Sequence, residues 1–388
     1  MPTSPHAVAL LLERAARRPA GELARVVSEV AHEVWGAGGA AVYLVTLEQT
    51  ELVPLGLSRR EAFTLEDGPA CRSFTLGRTV VEPGQPVTTW TPLTHRGHRL
   101  GLLGLVAAAS PPEVELRPFA DAVALLLVAD SRSDDTADAV RRTQELTAGA
   151  ELMGSLAPPA SYVDERVSLA AVAEPSYAAG GDAFDHALDG DLLRAMVVDA
   201  TGHGNGAAVV SAVAVAAYRS ARRAGEDLLG TWAALERHVG EIGTTDQDLR
   251  FATAVLVEVH LGTGRVAWVS AGHPFPVVVR ADGDAAQLEG DPAPPLGTGL
   301  GVAPEVQEEY LEPGDVLALH TDGITEARDL DGTQLGTEGW LEVLHTELAV
   351  GGLLAERLRR LRLDLLARDD AWLADDATAL LVEWHGST

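Results

Sequence analysis

Lysine is absent from this chain of 388 residues, asparagine occurs once, at Asn205, and cysteine once, at Cys71. Each absence removes a chemistry. Without lysine there is neither a Walker-type phosphate loop nor a Schiff-base nucleophile. A protein-kinase catalytic loop needs an asparagine for magnesium in an H-R-D context, and Asn205 has none. One cysteine excludes an intramolecular disulfide framework and a multi-cysteine zinc site, so Cys71 is expected to be a small buried hydrophobe. No apolar run approaches the ~20 residues that span a bilayer. The N-terminal apolar run has no basic segment before it and is interrupted by Glu13 and Arg14, so a cytoplasmic location is expected. Acidic side chains outnumber basic ones and the formal net charge is −28. Such a surface repels phosphate backbones and anionic lipid, so neither nucleic acid nor a membrane is an expected partner.

What is present predicts two domains and a connector, since single cores stop growing at roughly 200 to 300 residues. Residues 6–35 read as two helical segments broken at Pro19, with Leu23, Val26, Val27, Val30, Ala31 and Val34 at helical spacing. Strand-like runs follow at 40–47, 51–56, 87–93 and 99–109, then a helix over 115–132. The order helix, antiparallel strands, helix predicts an α+β sandwich over 1–132. The strand pair TTWTPLTHRGHRLGLLGLVA and the helix ELRPFADAVALLLVADS resemble a GAF domain, which implies a sensor of a small ligand or a dimerising module. Residues 133–159 read as a connector helix with Ala139, Val140, Leu146, Ala150 and Met153 apolar, ending at Pro158-Pro159. That stripe predicts a homodimer seam, with packing inside one chain as the alternative.

From residue 160 the texture is short β-like runs with helices at about 205–224, 227–242 and 338–366. Carboxylates recur where these strands end. Asp182 lies in Gly180-Gly181-Asp182-Ala183-Phe184-Asp185, which alone reads as a turn. Asp199 closes Met196-Val197-Val198 before a glycine-rich turn that opens a helix, and reads equally as a ligand or a helix cap. The Rossmann spacing is not met there. Asp322 follows the run 316–320, and Asp375-Asp376 precedes the run 379–383. Several carboxylates at strand ends are what hard divalent cations require, and they would repel strongly without one.

Taken in order, the stretches GGDAFD, VVDATGHGNGAA, SAGHPFPVVV, PPLG, LEPGDVLALHTDGITEARD and DDATALLV, after the helix end at Leu156-Ala157-Pro158, resemble the SpoIIE-like branch of the PPM metal-dependent serine/threonine phosphatases. The resemblance covers about residues 150–385. It implies an α-β-β-α sandwich over 160–388 with a dinuclear Mn2+ or Mg2+ site. It also implies Asp182, Asp199, the carbonyl of Ala200, Asp322 and Asp375 as metal ligands, with Asp199 and Asp322 essential for catalysis. Asp375 is preferred to Asp376 because the latter stands where eukaryotic relatives tolerate asparagine. His203 has a different offset from Asp199 than the eukaryotic histidine, so a turn-stabilising role competes with general-acid chemistry. His273 and His320 are expected to be structural.

The cations would generate the nucleophile from water and clamp the phosphoryl oxygens, so no protein nucleophile is required. The expected reaction is hydrolysis of phosphoserine or phosphothreonine on a protein. By resemblance the substrate is a phosphorylated anti-sigma-factor antagonist of STAS type, and the N-terminal domain regulates the output. Two rivals belong to other classes. A non-catalytic ligand-sensing scaffold has no need of four acidic motifs. A sensor histidine kinase needs a histidine on the connector, and residues 133–156 have none.

Overall fold

The computed structural model describes residues 4–174, 177, 180–245, 248–328, 331–368 and 376–386. They divide into two compact units, Met1–Glu145 and Leu146–Thr388.

In the first unit, helices α1 (Ser4–Ala15) and α2 (Leu23–Trp35) are followed by strands β1 (Gly39–Val45), β2 (Glu51–Pro54) and β3 (Phe63–Thr64), helix α3 (Pro69–Leu76) and strands β4 (Val80–Glu82), β5 (Val87–His95) and β6 (His98–Ala107). Helices α4 (Glu113–Asp130) and α5 (Thr136–Arg141) complete it. The antiparallel sheet has the order β3-β2-β1-β6-β5-β4. Alternation sorts the strand side chains onto two faces. Val42, Leu44, Leu103 and Leu105 pack with the apolar stripes of α1, α2 and α4. Val45, Leu52 and Leu102 face the other way, onto Cys71 and Phe74 of α3. Cys71 is therefore the buried hydrophobe expected. Helix α3 was not expected, although a proline at its first position is a start signal.

The second unit runs α6 (Ala148–Leu156), β7 (Ser161–Val163), β8 (Val167–Glu174), β9 (Asp182–Asp189), β10 (Leu192–Ala200), α7 (Asn205–Ala224), α8 (Leu228–Gly243), a small hairpin of β11 (Thr244–Thr245) and β12 (Asp248–Leu249), then β13 (Ala252–His260) and β14 (Arg265–Ala271). It continues through β15 (Val277–Val279), β16 (Ala285–Gln287), β17 (Gln307–Tyr310), β18 (Val316–His320), α9 (Asp322–Glu326), α10 (Gly336–Ala349), α11 (Leu354–Arg368) and β19 (Ala377–Trp384). One sheet has the order β17-β14-β13-β10-β9 and the other β16-β15-β18-β19-β8-β7. Their inner faces meet in a core built on Val197, Val257, Trp268, Leu319, Leu380 and Val382. Helices α7 and α8 cover the outer face of the first sheet and α10 and α11 that of the second. This is the four-layer α-β-β-α sandwich expected. The single helix predicted over 338–366 is two, interrupted at Gly351-Gly352, where Gly352 has φ +122°.

The connector reading is corrected. Residues 133–159 hold two helices, α5 and α6, and Arg142 between them is extended at φ −83°, ψ 130°. The boundary between units falls inside this stretch, between Glu145 and Leu146. Helix α5 belongs to the first unit: Ala137 and Val140 pack on its core, and Arg141 Nε donates to the Val45 carbonyl at 3.0 Å. Helix α6 belongs to the second, where Ala150 is buried and Met153 packs against the core beneath α7. Of the apolar residues assigned to a dimer seam, Val140, Ala150 and Met153 are thus used inside their own units, whereas Ala139 is exposed and Leu146 half-buried, and two short helices offer no continuous stripe. No helix among the described residues is long and apolar enough to cross a membrane.

Candidate metal centre

Antiparallel pairing brings the predicted carboxylates to one end of the sandwich. Strands β9 and β10 pair so that Asp182, the first residue of one, stands opposite Asp199, near the end of the other. Asp199 lies inside the strand, which runs to Ala200, and is half-buried. In the second sheet β18 pairs with β19, His320 opposite Ala379, so the start of α9 and the residue before β19 come together.

Two hydrogen bonds cross between the sheets at this end. Thr321 Oγ1 donates to Asp182 Oδ2 at 2.6 Å, and the Gly181 amide donates to Asp376 Oδ2 at 2.6 Å. The close approach requires glycine. A Cβ on Gly181 would overlap the Ala200 carbonyl oxygen, and one on Gly323 would overlap the Asp376 carbonyl oxygen. Both obstacles are backbone atoms, which cannot step aside as a side chain can.

Asp182 is 8% exposed. Its carboxyl is pushed well above the ordinary carboxylate range, first by burial and then by the Asp199 carboxylate. Asp376 adds to the repulsion, and the hydroxyls of Thr321 and Thr378 oppose it. A buried carboxylate facing a second one is the arrangement a divalent cation relieves. The donors assembled are oxygens, which suit magnesium or manganese. The residues present therefore fit a hard cation.

Asp322 opens α9 immediately after Thr321 and is exposed. Asp375 lies outside the described residues; its neighbour Asp376 is the one seen beside Asp182. Among the described residues no group of three His, Cys, Asp or Glu is close enough to hold an ion. His203 is exposed in the turn before α7. His273 and His320 are buried, and burial lowers their imidazoles to about 3 and about 4, with His320 contributing to the shift of His273. His273 Nδ1 pairs with Thr253 Oγ1 at 2.7 Å, and Thr253 stands opposite Asp199 in the ladder, consistent with a structural part.

Sequence reasoning missed three residues. Thr321 joins the two sheets. Asp185, 1% exposed, takes Arg219 Nε at 2.6 Å, and Arg219 also donates to the Leu156 carbonyl that ends α6. Glu236 of α8 accepts the amides of Gly297 at 2.6 Å and Gly299 at 3.0 Å, fixing the PPLG segment, whose Leu296 bridges to Ala252 beside Ala200. A buried acid in GGDAFD was the one signal available, since an unpaired charge is not left in a core.

The family model for Stage II sporulation protein E (SpoIIE) matches residues 189–385, just over half of the chain. The phosphoserine phosphatase RsbP of Bacillus subtilis (strain 168) is 25% identical over 169 residues, 42% of this chain and 41% of that protein. The chain thus spans about two-fifths of the length of that curated relative. The structure of the RsbU and RsbW domains of Rv1364c from Mycobacterium tuberculosis is 29% identical, covering 57% of this chain and 61% of that one at a TM-score of 0.48. The catalytic domain of the serine/threonine protein phosphatase PstP, in complex with two manganese ions, is 20% identical, covering 56% and 98% at a TM-score of 0.42.

Proposed function

Because this chain belongs to the SpoIIE family, we propose that its second unit hydrolyses phosphoserine or phosphothreonine on a protein, using two divalent cations, Mn2+ or Mg2+. Asp182, Asp199, the carbonyl of Ala200, Asp322 and Asp375 are the ligands in this reading. The observation that carries it is the pairing of Asp182 with Asp199 at the bottom of a cradle closed by Gly181 and Ala200. When bound, the cations supply Lewis acidity, activating water and polarising the phosphoryl group. The chain's own part is to hold the acidic oxygens in place: Asp182 is fixed by Thr321, and Asp376 by the Gly181 amide. No nucleophilic side chain is called for.

The substrate in this reading is a phosphorylated anti-sigma-factor antagonist of STAS type in the cytoplasm. A strongly acidic chain meeting a phosphorylated partner uses its cations, not surface lysines, to attract the phosphate. The first unit is a GAF-like sensor, a role supported by its six-stranded sheet with helices on both faces. The test is manganese-dependent release of phosphate from p-nitrophenyl phosphate and from a phosphoserine peptide, wild type against Asp199→Asn. Turnover that needs manganese and disappears in the variant is expected. No turnover with any divalent metal would favour the sensing scaffold.

A further inference from the structure

Thr321 belongs to no ligand set proposed above, yet it is completely buried where the two sheets meet. Its backbone continues the β18–β19 ladder, the Thr321 amide donating to the Thr378 carbonyl at 3.0 Å. The side chain does something separate. Its Oγ1 accepts the Thr378 amide at 2.9 Å and donates to Asp182 Oδ2 at 2.6 Å. A hydroxyl has one proton and two acceptor sites. The amide fills one acceptor site, and an ionised Asp182 carboxylate can only accept, so in that state the hydroxyl proton goes to the carboxylate.

We propose that Thr321 is a positioning residue for the metal centre: it reaches from the second sheet to orient Asp182 on the first, so that the ligand oxygens of the two sheets converge on one point. This rests on the phosphatase reading. Residues that hold a metal ligand from behind change metal affinity by about 10- to 100-fold when removed. The residue is specific in kind. Valine has the same shape but would leave the Thr378 amide without its acceptor and remove the Thr321 hydroxyl from Asp182, whereas serine keeps both bonds.

Isothermal titration of Mn2+ alone into metal-free wild type, Thr321→Val and Thr321→Ser tests it. Wild type is expected to bind, valine to bind about 10- to 100-fold more weakly, and serine within about threefold of wild type. The manganese concentration for half-maximal turnover should rise in the valine variant while turnover at saturating manganese largely recovers, which a loss of packing alone would not produce. Equal affinity of valine and wild type, or a serine variant as weak as valine, overturns the proposal. If valine does not fold by circular dichroism, the serine variant decides: wild-type affinity supports the clamp, and a large loss refutes it. Absence of manganese binding by wild type would sink the phosphatase reading itself, an outcome distinct from equal binding by all three.

Discussion

Replacing Arg219 with alanine should lower the stability of the second unit by about 3 kcal/mol. Asp185 is 1% exposed and its Oδ2 takes Arg219 Nε at 2.6 Å, while its Oδ1 keeps only the His186 amide at 2.8 Å. Breaking a buried ion pair from one side leaves a charge that the interior cannot solvate, at a cost of about 3–5 kcal/mol. The lower end applies because the Arg219 side chain is 22% exposed, so water can reach part of the space it vacates. The Leu156 carbonyl loses its donor in the same change, which frees the end of α6. A unit of about 240 residues has an unfolding entropy near 0.5 kcal/mol per kelvin, so the midpoint should fall by about 6 °C. Scanning calorimetry on the second unit's transition measures it, and a cycle with Asp185→Ala isolates the pair, with a coupling of about 2 kcal/mol expected. A loss below about 1 kcal/mol, or a cycle that is simply additive, would refute the assignment of a buried ion pair.

Asp199→Asn and Asp322→Asn should each abolish manganese-dependent turnover while metal-free thermal midpoints stay within about 2 °C, because a ligand carboxylate contributes charge and not packing; retained turnover would make them caps instead. Asp182 is raised above its unfolded value, so its contribution to metal-free stability is complete below about pH 4 and is lost as pH rises; Asp182→Asn should flatten that decline in a pH series of melts. His273 and His320, held to about 3 and about 4, should show imidazole proton resonances that do not move between about pH 5.5 and 8. Below the unfolded value they withdraw stability as pH falls, since only the unfolded chain takes up the protons. Leu146→Glu should leave light-scattering mass unchanged, whereas Val140→Glu should lower the first unit's midpoint, because Val140 packs on that unit's core.

The strand-end carboxylates could be read from sequence because an apolar run that stops at Asp199 or before Asp322 leaves the acid at the rim of a sheet. Strand β9 was harder: its buried start alternates acid and apolar residues, and Asp182 and Asp185 are tolerated only through Thr321, just past β18, and Arg219 of α7. Thr321 carried no signal at all, since a hydroxyl before Asp-Gly is ordinary until its partner, 139 residues away, is known. The connector misled for a related reason. Helical spacing across 139–153 looks continuous, and only the packing of Val140 and Met153 onto different cores reveals that the chain straightens between them. Helix α3 and the break between α10 and α11 were within reach, since Pro69 and Gly351-Gly352 are recognised start and stop signals.

The position of β19 has a consequence for synthesis. Strand β8 finds its main partner in β19, which is made roughly two hundred residues later and lies between β18 and β8. At about 5–20 residues per second a ribosome needs about 10 to 40 seconds to cover that distance. For that interval β8 has only the short β7 beside it in its sheet, and its other edge is unpaired. Asp376, which the Gly181 amide holds at the rim, arrives with the same late strand. This end of the sandwich is therefore completed only when β19 has emerged, and a chain stalled before then keeps an open strand edge exposed to the pairing errors that chaperones suppress.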